Sequence, residues 1–225
     1  MNSLPETNGD PNWEEQLTDL VCNLYQTDAT GHDYYHSLRV RRMALRLQQN
    51  EGGDPDVLSA AAYLHDVGRV LNLETKDHAL TAAEAAPRFL TEIGFPQDKF
   101  RQVIGCIRYH DHYAEGIPEE WHDVMEILIF QDADRLDAIG AIGIARTFTY
   151  GGATGKPIWV PGSQIQHSEW TANTQSQNTI IHFYEKLLKI DTYLNTATAQ
   201  LIAAGRIAYM RAFLDRFFQE WEGDA

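Results

Sequence analysis

A helix that is apolar on most of its faces has to be buried, and residues 125–148 have the spacing of such a helix. This stretch nevertheless carries Asp132, Asp134, Arg135 and Asp137. Carboxylates this close repel one another unless solvent, arginine or a cation compensates them. Arg135 can answer one of them, and a cation can answer the rest. Any fold of this chain must therefore bring compensating groups to the middle of a buried helix.

Two other segments offer such groups. Asp33-Tyr34-Tyr35-His36 opens one predicted helix. Leu64-His65-Asp66-Val67-Gly68 closes another, after the apolar run Ala60-Ala61-Ala62-Tyr63-Leu64. A buried helix that ends in two ionisable groups must pair them. Capping or a hydrogen-bond network would do so. Convergence of all three segments would do it differently, by giving one divalent cation two neutral nitrogens and two anionic oxygens.

The remaining pattern is helical. Leu17, Leu20, Val21 and Leu24 share one face, as do Val40, Met43, Ala44 and Leu47. Gly52-Gly53 stops the second helix, and Asp54-Pro55 starts a third with Asp54 as N-cap. That helix is expected to end near His65, with Gly68 just beyond it. Further helices are predicted over 78–93, 97–110, 125–148, 179–189 and 196–221. Between 150 and 178, glycines and prolines interrupt the periodicity over more than a usual loop. That segment reads as a lid, an insertion or a homodimer contact. With no alternating strand run, the expected fold class is all-α. It is a single domain spanning 1–225, a helical bundle with an irregular insertion near 150–178 and two C-terminal helices.

Bulk properties narrow the function. The 225 residues suit one sizeable core. No apolar run approaches the roughly 18 residues that cross a bilayer, so no membrane partner is expected. Residues 1–12 are polar and acidic, unlike a secretory signal, and read as a frayed tail. A net charge of −14 opposes binding to polymeric nucleic acid. It still permits a small phosphorylated substrate, because a bound cation attracts phosphate locally. Cys22 and Cys106 have no metal or redox spacing and are expected to be reduced core thiols in a cytoplasmic protein.

Asp33-x-x-His36-x-x-Arg39-Val40, His65-Asp66-Val67-Gly68 and Ala133-Asp134-Arg135-Leu136-Asp137, in that order, resemble the HD-domain superfamily of metal-dependent phosphohydrolases. This resemblance covers about 31–146. Tyr150-Gly151-Gly152 and His182-Phe183-Tyr184-Glu185-Lys186 are similar to later stretches of a bacterial stand-alone branch, which extends it over most of the chain. The resemblance implies an HD-domain bundle in which His36, His65, Asp66 and Asp134 bind one cation. Asp132 is the rival fourth ligand, and Asp134 is preferred because the family pattern places the ligand directly before Arg-Leu. Asp137, one turn on, would orient a ligand or a water. Arg39 and Lys186 are the candidates for substrate phosphate, and each also reads as an exposed helix charge. His110 would contact phosphate or serve as general acid. In a two-metal version, His78 and His110 would instead hold a second cation. His32 reads as support for the His36 helix, and His112, His122 and His167 as surface residues.

Four protein ligands would saturate a tetrahedral zinc, whereas an octahedral ion keeps positions open. Manganese is therefore expected, with nickel, cobalt, iron or magnesium as alternatives. The implied reaction is hydrolysis of a nucleotide, or of another small phosphate ester or anhydride, by a metal-activated water. Tyr34, Tyr35, Trp159 and Trp170 are candidates for stacking on a base. Two rival readings stand beside this one. The first is a di-iron oxygenase using His36, His65, Asp66, His78, His110 and Asp134. The second is a non-catalytic nucleotide or metal sensor.

Overall fold

Helix starts fall where short polar side chains can hold the first free backbone N–H groups. Asp33 caps α2 (Tyr34–Glu51) by accepting the His36 backbone N–H at 2.9 Å. Asp54 caps α3 (Pro55–Leu64) through the N–H groups of Asp56 and Val57. The computed structural model describes residues 13–25, 30–72, 74, 77–112, 116–164 and 176–224. The expected tail at 1–12, His167 and Trp170 lie outside them. Before these two helices comes α1 (Trp13–Leu24). After them come α4 (Val67–Leu71), α5 (His78–Glu92), α6 (Phe100–Tyr109), α7 (Met125–Asp137), α8 (Gly140–Ala153), α9 (Thr179–Glu185) and α10 (Ala197–Glu222). Among the described residues there is no strand, and the fold is all-α.

The core forms around α3, whose residues from Val57 to Leu64 are all buried. α2 packs on α3 and α7, α3 also meets α6, and α5 joins α4 to α6. Val40, Ala44 and Leu47 of α2 and Ile127, Phe130, Ala133 and Leu136 of α7 lie in the same apolar cluster. This arrangement brings the first turn of α2, the end of α3 and the last turns of α7 to one place.

Several boundaries differ from the sequence expectation. The predicted helix over 125–148 is two helices, separated by Ile139 in extended backbone. Gly140 follows with φ +78°, where any Cβ would crowd the Arg206 side chain. Periodicity missed the break because a single glycine within an apolar run is locally tolerable. α8 then runs through Tyr150-Gly151-Gly152, so the irregular segment begins later than 150. At the other end, α9 gives way to 3₁₀ turns over Leu187–Tyr193. Cys106 is buried, but Cys22 is exposed. α1 buries only the stripe of Leu17 and Val21, and Cys22 sits one residue, about 100° of helix, away from it.

Gly68 lies just past the end of α3, as expected, and within the short helix α4. A Cβ there would collide with the carbonyl oxygen of His78, so glycine permits the close approach of α4 to α5. Overpacking of this kind costs about 1–3 kcal/mol. Gly68→Ala should lower the unfolding free energy by about that amount, as measured by chemical denaturation.

Candidate metal centre

His36 stands on the first turn of α2, His65 and Asp66 form the bend between α3 and α4, and Asp134 lies on α7. His36 Nε2 is 3.2 Å from His65 Nε2, 3.3 Å from Asp134 Oδ1 and 3.6 Å from Asp66 Oδ2. His65 Nε2 is 3.5 Å from the same Asp66 oxygen. The donor atoms offered by His36, His65 and Asp134 lie within 4.8 Å of one another. His65, Asp66 and His110 form a second such group. Asp66 occupies the N-cap position of α4 yet makes no capping bond, so its carboxylate serves the imidazoles instead.

Tautomers are fixed from behind. His65 Nδ1 lies 3.0 Å from the Ala62 carbonyl, which accepts hydrogen bonds only, so the proton is on Nδ1. His110 Nδ1 is held in the same way by the Ile107 carbonyl at 2.7 Å. His36 Nδ1 donates to Asp137 Oδ2 at 2.8 Å. In the neutral state each ring therefore keeps Nε2 as its lone pair, and those of His36 and His65 face each other. Two opposed lone pairs at 3.2 Å need a positive charge between or beside them. This donor set, oriented by groups behind the rings, fits a divalent transition metal.

The local electrostatics agree. Burial lowers the His65 pKa to about 4, leaving it a neutral ligand near pH 7. Burial and Arg146 oppose charge on His36, but its hydrogen bonds to Asp134 and Asp137 prevail and raise its pKa, so a cation bound there would take the place of a proton on Nε2. Burial also opposes ionisation of Asp66 and Asp134. For Asp66 the charges of Arg69 and His65 outweigh it, and for Asp134 the hydrogen bond to His36 does. Both carboxyls are held well below their usual range.

Asp137 has a supporting position. Besides His36, it accepts from Arg39 Nε at 2.8 Å and Nη2 at 3.0 Å, and from Arg146 Nη1 at 3.0 Å. Arg39 is thus engaged with Asp137. Asp132 points elsewhere: it accepts from the backbone N–H groups of Asn195 at 2.8 Å and Thr196 at 2.7 Å, locking the start of α10. Asp134 instead places its Oδ1 3.3 Å from His36 Nε2.

Beside the cluster opens a cavity of about 370 Å³. Arg69, Arg146, Lys156, His182 and Lys186 line it, with no carboxylate among the described lining residues. Burial, with Lys186 and Lys156, lowers His182 to about 3, so its ring is neutral. Lys186 was legible in the sequence, but Arg69, Arg146 and Lys156 were not singled out. Arg69 could have been found from its i,i+3 spacing to Asp66. Arg146 and Lys156 carry no local signal. Tyr150 faces this cavity, whereas Trp159 packs its ring edge on Phe218 at 5.2 Å and Tyr35 is exposed. His32 places its ring 5.7 Å from that of His36 and also lines the cavity. His122 is exposed, while His112 is half-buried against Asp111.

Residues 33–139 match the HD domain family. A crystal structure of an HD-superfamily hydrolase from Bacillus thuringiensis is 34% identical, covers 93% of this chain and 97% of its own, and has a TM-score of 0.70. A structure from Lactobacillus plantarum is 31% identical over 96% of this chain and 100% of its own, with a TM-score of 0.75. Bacillus subtilis YpgQ in complex with ADP is 26% identical over 94% and 100%, with a TM-score of 0.70. The chain belongs to the HD-domain superfamily. Its solved relatives include proteins described as hydrolases of that superfamily. Among the described residues no helix is long and apolar enough to cross a membrane.

Burial opposes ionisation of Asp137, but hydrogen bonds from His36 and Arg39 prevail and lower its pKa from 3.8 to about 2. A depressed carboxyl pKa stabilises the fold fully above pH 3.8, and the contribution is lost as pH falls toward 2. It amounts to about 2 kcal/mol. The stability gap between the native protein and Asp137→Asn, measured by denaturant unfolding without metal, should therefore shrink as pH drops from 4 to 2.

Proposed function

We propose that this chain is a metal-dependent phosphohydrolase acting on a nucleotide or a similar small phosphate ester or anhydride. One observation carries the reading: a metal-suited His/Asp cluster adjoins a cavity lined by cations, in a chain whose net charge is −14. Local positive lining against a negative whole is what an anionic substrate needs. The ADP bound to the related YpgQ supports a nucleotide.

His36 and His65 would hold the cation through Nε2, and Asp66 and Asp134 through their carboxylates. A divalent cation bound there supplies Lewis acidity to water and to a phosphoryl oxygen. Two imidazoles with two carboxylates favour manganese over magnesium, with nickel, cobalt or iron as alternatives. Asp137 keeps the His36 proton on Nδ1 and so keeps Nε2 available. Arg39 acts through Asp137, holding that carboxylate in place. Arg146, Lys156 and Lys186 bind phosphate oxygens and offset charge that develops on them. His110, anchored through Nδ1, would act as general acid in its doubly protonated form, passing the Nε2 proton to the leaving group.

The deciding experiment is a screen of nucleoside mono-, di- and triphosphates with manganese, reading phosphate and pyrophosphate separately. Turnover of at least one nucleotide is expected; its absence throughout would reject a nucleotide substrate, and tight nucleotide binding without turnover would favour a sensor. Asp134→Ala should lose bound metal and turnover together. Lys156→Ala should raise KM by about tenfold, the usual loss for one charged hydrogen bond, with metal content unchanged.

A further inference from the structure

We propose that Arg69 is a built-in substitute for a second metal ion. The inference rests on the metal-centre reading above and concerns the other face of Asp66. Oδ2 of this carboxylate faces His36 and His65. Oδ1 faces away from them, 2.8 Å from Arg69 Nε and 3.3 Å from His78 Nε2. On that side His78, His110 and Asp111 offer donor atoms within 4.8 Å of one another. By donor type and spacing this is a second cation position, bridged to the first through Asp66.

Arg69 already stands in it. Its Nη2 lies 2.9 Å from His78 Nε2, so it donates into the lone pair that a metal would need. Its Nε takes the Asp66 oxygen that would bridge two ions. A guanidinium keeps its charge at any working pH, and its planar fork suits this two-point grip. The grip is built locally. Asp66 and Arg69 are one turn apart across the start of α4, and Gly68 lets that turn sit against the start of α5, where His78 is.

Two consequences follow. The chain holds one cation although its donor inventory would serve two. Arg69 also lines the cavity with Lys156 and Lys186, so its remaining N–H groups present a fixed positive charge to an anion there. A guanidinium gives charge and hydrogen bonds at that point but no open coordination position, which opposes a di-iron oxygenase.

Metal-free protein loaded with manganese(II) and dialysed provides the test, read by elemental analysis and electron paramagnetic resonance. The native protein should retain one manganese per chain with an uncoupled spectrum. Arg69→Ala and the longer neutral variant Arg69→Met should retain two, with the spectrum of an exchange-coupled pair. Arg69→Ala combined with His78→Ala should return to one. Two ions in the native protein, or one in both single variants with native circular dichroism and cooperative unfolding, would overturn the proposal. No manganese in the native protein would instead overturn the metal-centre reading on which it rests.

Discussion

The structure depends on making Asp66 tolerable as a buried anion. A carboxylate out of water is costly unless it is paired and hydrogen-bonded. Here one oxygen faces two imidazoles and the other a guanidinium. Every element around it can be read as part of that answer. α3 ends where it does so that His65 and Asp66 emerge from the core as a bend, and α4 turns back to supply Arg69. α2 and α7 contribute the groups that a purely apolar core could not accept.

Further groups hold those residues from behind. Asp137 orients His36 and is itself gripped by Arg39 and Arg146. Backbone carbonyls do the same for His65 and His110. The rings are thus fixed by protons on their outer nitrogens, which leaves the inner ones as donors. Arg146 joins this supporting layer to the neighbouring cavity, since it contacts Asp137 and lines the opening as well. Loss of charge balance at one position therefore propagates to the ring orientations that make the site a metal site.

Much of this was legible in the sequence because its signals are local. Asp33 and Asp54 cap helices where short polar residues precede apolar periodicity. Three ionisable motifs inside apolar helices announced a buried charge problem, and His36, His65, Asp66 and Asp134 are the residues that the fold brings together. What failed was also local. Gly140 reads as an ordinary helical glycine, and only its backbone, at φ +78° after extended Ile139, shows that the chain turns there. Cys22 looked like a core thiol because its neighbours are apolar, but helix rotation exposes it. Arg39, one turn after His36, also grips Asp137 from across the bundle, a contact that no local spacing shows.

The sequence alone determined an all-helical chain of the HD-domain superfamily and the set of residues able to face a cation, because capping, periodicity and motif order act over a few positions. That His36 of α2 meets Asp66, that Asp132 locks α10 while Asp134 joins the cluster, and that Lys156 and Lys186 share one cavity were decided only by the tertiary structure. Those are contacts between distant segments. Their geometry follows from how α2, α3, α4 and α7 pack together, and no spacing along the chain encodes it.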